Sequence, residues 1–313
     1  MSKNRWLCGV LAIALLSATV AAAQMSDTER AAVLIALRYK VVANVTYAVA
    51  NNHELKLDVY TPWETKSPLP VVLYIHGGGW VTGSKEGVAL QAVPYLNMGF
   101  AVVNVEYRLG AVSLAPAAVE DCRCALYWVG KHAKEYNFDL NKVITTGGSA
   151  GGHLALTTAM IPPSAGFDGE CIQVDRTWDG PSKLVAPKVA AVINWFGITD
   201  VADMLQGPDE KSYAVEWLGS QANREEMARR VSPMTYVRAG LPPILTVHGD
   251  ADTLVPYSHA VRLHEALTKV GVRNQLITIP GGGHGGFTPE QTLKAFEAIK
   301  AFLAAAGITP VAQ

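Results

Sequence analysis

Ser149 stands two positions from glycines on either side, within Gly147-Gly148-Ser149-Ala150-Gly151-Gly152. The residues before it, 142–146 (KVITT), form an unbroken strand-like run, and 150–160 read as a helix, so the serine falls on a turn between the two. Flanking glycines let the chain reverse so tightly that the hydroxyl projects from the strand end, over the Ala150 amide at a helix N-terminus. That pattern offers a nucleophile beside an anion-stabilising donor. A second glycine run, His76-Gly77-Gly78-Gly79-Trp80, follows the apolar segment 71–75 (VVLYI). Consecutive glycines leave backbone N–H groups free to face a cavity, which a developing oxyanion requires. Gly77, Gly78 and Ala150 are therefore the candidate donors. His76, at a strand end, suits a structural hydrogen bond better than the part of a base.

A serine hydroxyl is nearly inert at neutral pH unless a histidine takes its proton and a carboxylate orients that histidine. Asp252, in His248-Gly249-Asp250-Ala251-Asp252-Thr253-Leu254-Val255-Pro256, follows the apolar run 244–248; His284, in Gly281-Gly282-Gly283-His284-Gly285-Gly286, follows 275–279. The catalytic set read from the chain is Ser149, Asp252 and His284, in that order, with no metal and no organic cofactor required. Residues 281–286 also fit G-x-G-x-x-G, but too little chain follows to build the second strand and acidic residue of a dinucleotide site. The other histidines show no metal-ligand spacing. His153, one helical turn after Ser149, reads as a supporting or packing residue.

The elements that must carry these residues alternate. Continuous apolar runs at 71–75, 100–105, 142–146, 189–194, 244–248 and 275–279 read as strands buried on both faces, with helices at 86–97, 116–135, 150–160, 258–270 and 289–305. An antiparallel hairpin, 41–49 and 53–60 about Asn51-Asn52, precedes them. The fold class is α/β: a mostly parallel, doubly wound sheet with helices on both faces and an N-terminal hairpin. Two irregular stretches, 161–187 and 200–242, are expected to wall the site.

Composition agrees with a large core: of 313 residues, 50% are hydrophobic and 17% charged. Lys+Arg number 26 against 27 Asp+Glu, for a net charge of −1, without basic runs, which argues against a nucleic-acid partner. Lys3 and Arg5 precede an apolar run from Trp6 to Val20 and then Ala21-Ala22-Ala23, the order of a secretory signal. Residues 1–23 are expected to be a cleaved signal peptide and 24–313 a single catalytic domain, secreted or periplasmic, with no membrane span after cleavage. Asn44-Val45-Thr46 is a glycosylation acceptor only in a host that glycosylates exported proteins.

With HGGGW, GGSAGGH, HGDADTLVP and GGGHG, and EYRL at 106–109 between them, the chain resembles secreted esterases of the hormone-sensitive-lipase-related and bifunctional feruloyl/acetyl-xylan esterase groups over about 45–305. The resemblance implies the α/β-hydrolase fold, serine-dependent hydrolysis of carboxylic esters, and the triad and oxyanion roles named above. It also implies an ester of a small molecule or a polysaccharide as substrate. Unlike hormone-sensitive-lipase relatives the chain lacks a long N-terminal helical cap, only 26–40 being helical before the hairpin, so the pocket is expected to be shallow or differently covered.

Three cysteines follow the signal segment. On the helix 116–135, Val119, Cys122, Leu126 and Val129 share a face, which leaves Cys124 free to meet the 161–187 loop. The expected pairing is Cys124–Cys171, with Cys122 a buried thiol. Trp80 is the expected substrate-binding aromatic, and Trp178, Trp195, Phe196 and Trp217 are further candidates for an apolar wall taking a flat or short acyl group. Amide or peptide hydrolysis by the same triad is the catalytic alternative, and a catalytically silent hydrolase-fold binding protein is the non-enzymatic one.

Overall fold

In the computed structural model, residues 26–169, 171 and 186–309 are described. The expected signal segment and Trp178 lie outside them. The chain divides into two compact units, Met1–Arg38 and Tyr39–Gln313. In the first, helix α1 (Asp27–Arg38) opens on a reciprocal cap: the Glu29 amide donates to Ser26 Oγ at 3.2 Å and the Ser26 amide to Glu29 Oε2 at 2.7 Å.

The second unit is built on an eight-stranded sheet of order β1-β2-β4-β3-β5-β6-β7-β8. Its strands are β1 (Tyr39–Ala50), β2 (His53–Pro62), β3 (Leu69–Ile75), β4 (Ala101–Val105), β5 (Phe138–Gly148), β6 (Val189–Trp195), β7 (Ile244–Gly249) and β8 (Asn274–Ile279). β1 and β2 form the expected hairpin, with Asn51 and Asn52 both at positive φ (52° and 60°), as a two-residue turn matched to strand twist requires. β2 meets β4 antiparallel, and every later pairing is parallel.

The strand runs are unbroken because both faces are covered. Along β3, Val71, Leu73 and Ile75 pack into one core and Val72 and Tyr74 into another, as the two-residue period demands. The first core takes helices α3 (Ala117–Lys131), α5 (Ala150–Met160) and α8 (Ser258–Lys269), and the second takes α2 (Val93–Asn97) and α9 (Pro289–Ala305). α5 and α9 have the expected bounds. The segment 86–97 is instead a 3₁₀ helix over Glu86–Ala92 followed by α2, because Pro94 cannot donate the amide that would join the two. The helix expected over 116–135 breaks at His132 into α3 and α4 (Ala133–Tyr136). The later irregular stretch holds α6 (Ser212–Leu218) and α7 (Arg224–Val231).

The start of the loop after α5 is clamped to α3. Arg123, buried, grips Asp168 through Nε (2.5 Å) and Nη2 (2.8 Å), and its Nη1 donates to the Ile161 carbonyl at 2.8 Å. Next to it Cys124 is joined to Cys171, and Cys122 is a buried free thiol, as the helical spacing implied. Strand order supplies the geometry of the site. β3 lies beside β5 and β7 beside β8, so the loops at their carboxyl ends are neighbours, where α/β sheets bind ligands.

Candidate active site

Ser149 occupies the turn between β5 and α5 at φ 57°, ψ −122°, a conformation that non-glycine residues rarely adopt. Surrounding contacts enforce it. The Ser149 amide donates to the Trp195 carbonyl at 2.9 Å, and its carbonyl accepts from the His153 amide at 3.0 Å, beginning the helix. A Cβ on Gly151 would lie 2.1 Å from the Ile75 carbonyl oxygen, so only glycine lets the elbow pack this closely on β3. The same approach brings the loop after β3 alongside. A Cβ on Gly77 would fall 2.7 Å from the Gly148 oxygen and 3.5 Å from Ser149 Cβ. Gly77 and Gly78 line the cavity with Ser149, while Ala150 is buried at the first position of α5, where an amide has no acceptor within the helix.

His76 holds this loop rather than facing the cavity. Its Nδ1–H donates to the Gly77 carbonyl at 2.8 Å, its ring stacks on Tyr107 with centroids 4.2 Å apart, and Glu106 Oε1 lies 3.4 Å from Nε2. His153 is likewise structural. It accepts from Trp80 Nε1 at 3.1 Å through Nδ1 and donates from Nε2 to the Val231 carbonyl at 2.7 Å; burial pulls its pKa down to about 3, so it is neutral.

Asp252 and His284 come from the loops after β7 and β8, which are laced together by the Ala251 amide on the Gly282 carbonyl (3.0 Å) and the Gly281 amide on Asp250 Oδ1 (2.7 Å). His284 Nδ1 donates to Asp252 Oδ2 at 2.7 Å, leaving Nε2 as the ring nitrogen available to Ser149. The side chain of Asp252 is fully buried and takes four donors: His284 and His248 Nε2 (3.1 Å) on Oδ2, and the amides of Leu254 (2.8 Å) and Val255 (3.0 Å) on Oδ1. Burial alone would raise its pKa. The bonds from His248, His284 and Val255 outweigh that and hold the carboxyl well below the usual carboxylate range. The second histidine on Asp252 is a feature that the motif HGDAD contains but its spacing did not reveal.

Ser149 and His284 open into one cavity of about 790 Å³. Its lining includes Val81, Thr82, Tyr213 and Leu254, and an aromatic wall of Tyr74, Tyr95, Trp195, Phe196, Phe287 and Phe296, in which Tyr74 meets Tyr95, Phe296 meets both Tyr95 and Trp195, and Phe196 meets Phe287. The expectation for Trp80 is corrected: it is fully buried, its indole stacked on Trp217 with centroids 4.2 Å apart, and it does not line the cavity. Trp217 is buried with it, whereas Trp195 and Phe196 do form the wall. Of the two irregular stretches, 200–242 supplies Tyr213, and 161–187 supplies none of the described lining residues. Tyr74, Tyr95, Phe287 and Phe296 escaped the sequence reading because they come from β3, α2, the loop after His284 and α9, which no local spacing connects.

The BD-FAE family model matches residues 57–267, the span from β2 to α8 that includes the glycine loop after β3, Ser149 and Asp252. LipM of Mycobacterium tuberculosis, by name a carboxylic ester hydrolase, is 30% identical over 206 residues, covering 64% of this chain. The chain spans 45% of the length of LipM and 14% of that of the fungal polyketide synthase ascC of Acremonium egyptiacum, to which it is also similar. Among solved structures, a truncated carbohydrate esterase from gut microbiota superposes with a TM-score of 0.71 at 28% identity, covering 87% of this chain and 98% of that one. A propionate-bound esterase of Thermogutta terrifontis gives 0.69 at 28% identity, covering 86% and 96%. The fold is that of the α/β-hydrolases.

Proposed function

The chain belongs to the BD-FAE family, and from that premise we propose that it is an exported serine carboxylesterase acting on short-chain or aromatic acyl esters, including feruloyl or acetyl esters of polysaccharides. Ser149 Oγ attacks the ester carbonyl as His284 takes its proton. The oxyanion is held by the amides of Gly77, Gly78 and Ala150. The C–O bond to the alcohol breaks, with the proton passing from His284 to the leaving oxygen, and water then repeats the sequence on the acyl-enzyme. Asp252 stays ionised throughout, orienting His284 and stabilising its charged form.

The observation that carries this reading is that Ser149 and His284 share one cavity while His284 is bonded at 2.7 Å to a buried carboxylate. The aromatic wall of the cavity favours a flat acyl group. The propionate held by the T. terrifontis esterase supports a short one, and the carbohydrate esterase from gut microbiota supports a saccharide-linked ester. Export rests on the composition of residues 1–23, which suits a substrate too large to enter a cell.

The test is a substrate panel run with the wild type and Ser149→Ala: nitrophenyl esters of increasing acyl length, feruloyl esters, acetylated xylan and an aminoacyl anilide. Short and aromatic esters are expected to turn over far faster than acyl chains beyond about ten carbons, and Ser149→Ala to lose several orders of magnitude in kcat while remaining folded. Near-normal turnover by a folded Ser149→Ala variant removes the serine mechanism; preference for the anilide replaces the esterase with a peptidase.

A further inference from the structure

The aromatic wall of the cavity retains a polar group that the fold does not use. Tyr74, the penultimate residue of β3, is 7% exposed and lines the cavity, yet its hydroxyl bonds to none of the described residues. Its neighbours are all served. The Tyr95 ring lies 6.1 Å from that of Tyr74, and its hydroxyl is 3.0 Å from Thr146 Oγ1 and accepts from Trp195 Nε1 at 3.4 Å. Thr146 Oγ1 donates to the Ile193 carbonyl at 2.8 Å, so Tyr95 is the donor in the pair and has both its roles filled. Gln91 and Thr292, the other polar side chains on this side, are exposed or half-buried and reach water. The Tyr74 hydroxyl thus has no protein partner among the described residues and belongs to the cavity lining, so a ligand oxygen can take its hydrogen bond in place of solvent.

The sheet register gives the depth. Tyr74 pairs with Thr146, three residues before Ser149, which puts the Tyr74 backbone about 10 Å along the strands from the nucleophile at roughly 3.3 Å per residue. Burial also pushes the phenol pKa up, so the group is a neutral O–H donor at any working pH.

We propose that the aromatic wall of the cavity forms a subsite for a planar group bearing an oxygen substituent remote from the ester carbonyl, and that Tyr74 is the specificity-determining residue that hydrogen-bonds that oxygen. The rings of Tyr95, Trp195 and Phe296 supply the apolar walls, and Tyr74 supplies the one directional contact. The orientation, carbonyl at Ser149 and substituent at Tyr74, rests on the serine-esterase reading.

The experiment compares methyl 3-(4-hydroxyphenyl)propanoate with methyl 3-phenylpropanoate on wild type and Tyr74→Phe, as a cycle in which protein and ligand each lose one hydroxyl. In wild type kcat/KM favours the hydroxylated ester, and in Tyr74→Phe the ratio of the two falls about tenfold, the scale of one well-formed hydrogen bond. The same pair is titrated calorimetrically into Ser149→Ala with and without Tyr74→Phe, which reads the contact without catalysis. Thermal unfolding of Tyr74→Phe confirms that it is folded. A ratio that ignores Tyr74→Phe in both measurements overturns the proposal. A wild type that hydrolyses no carboxylic ester, with the calorimetric ratio still dependent on Tyr74, overturns the esterase reading and leaves the subsite standing.

Discussion

Asp252, buried behind His284, and Tyr74, on the cavity wall, are treated oppositely by the fold. The two carboxylate oxygens of Asp252 receive four donors, from His248, His284 and the amides of Leu254 and Val255. The hydroxyl of Tyr74 receives none. The difference separates two demands. A group that must steady a developing charge is most useful when its geometry is complete before substrate arrives, because nothing then has to reorganise during the reaction. A group that must recognise substrate is most useful when its bond is left unmade, because a satisfied group gains nothing from the ligand.

The largest effect that would break or sharpen this contrast lies within the saturated end, between two aspartates two residues apart. Asp252→Asn leaves His284 without its acceptor and frees the wrong tautomer, so kcat is expected to fall by about 10⁴. Asp250→Asn disturbs only the contact from Oδ1 to the Gly281 amide and is expected to cost less than about tenfold. Steady-state kinetics of the two variants decide the point, and the reverse order of damage would move the triad acid to Asp250.

Next in size is His248. It is buried, and Nε2 carries the proton because both its neighbours, Asp252 Oδ2 at 3.1 Å and the Val255 carbonyl at 3.0 Å, are acceptors. His248→Leu removes one donor from an ionised carboxylate and is expected to lower kcat by about tenfold to a hundredfold, with KM little changed. His248→Gln, whose amide N–H reaches toward the same place, is expected to recover most of the loss. Equal damage from both variants would reduce His248 to a packing residue.

The smallest effect is a pH dependence of stability that two buried histidines away from Asp252 set. Burial lowers His153 to about 3, and burial followed by the charge of Arg262 lowers His259 to about 4. Both are neutral when folded. Below the ordinary value near 6.5 the unfolded chain takes up protons that the folded chain refuses, so stability falls as pH drops from there towards the folded values. The slope is about 1.4 kcal/mol per pH unit for each histidine. Urea midpoints measured at pH 7 and pH 5 check the sign, and His153→Gln should flatten the slope by about one proton.

The serine elbow was more legible in the chain than the aromatic wall, for a physical reason. A serine on a strand-to-helix elbow needs glycine where the backbone touches Ile75, and that requirement is written within five consecutive residues as Gly147-x-Ser149-x-Gly151. The Cys124–Cys171 pairing was legible through the helical period that turns Cys122 inward. Trp80 misled because nearness in sequence to the glycine run 77–79 does not settle side-chain direction. Trp80 sits at φ 62°, with its indole against Trp217 and His153 instead of the cavity.

By itself, then, the sequence determined the alternation of buried strands and helices, the hairpin at Asn51-Asn52 and the elbow at Ser149, because each depends on local backbone sterics or on a short hydrophobic period. Only the tertiary structure decided that His248 shares Asp252 with His284, that Tyr213 and not Trp80 reaches the cavity, and that Tyr74 is left unpaired among rings drawn from β3, α2, β6 and α9. These depend on strand order and on which helices cover each face of the sheet, so they join residues up to more than two hundred positions apart, and no local pattern can encode a contact between residues that only packing brings together.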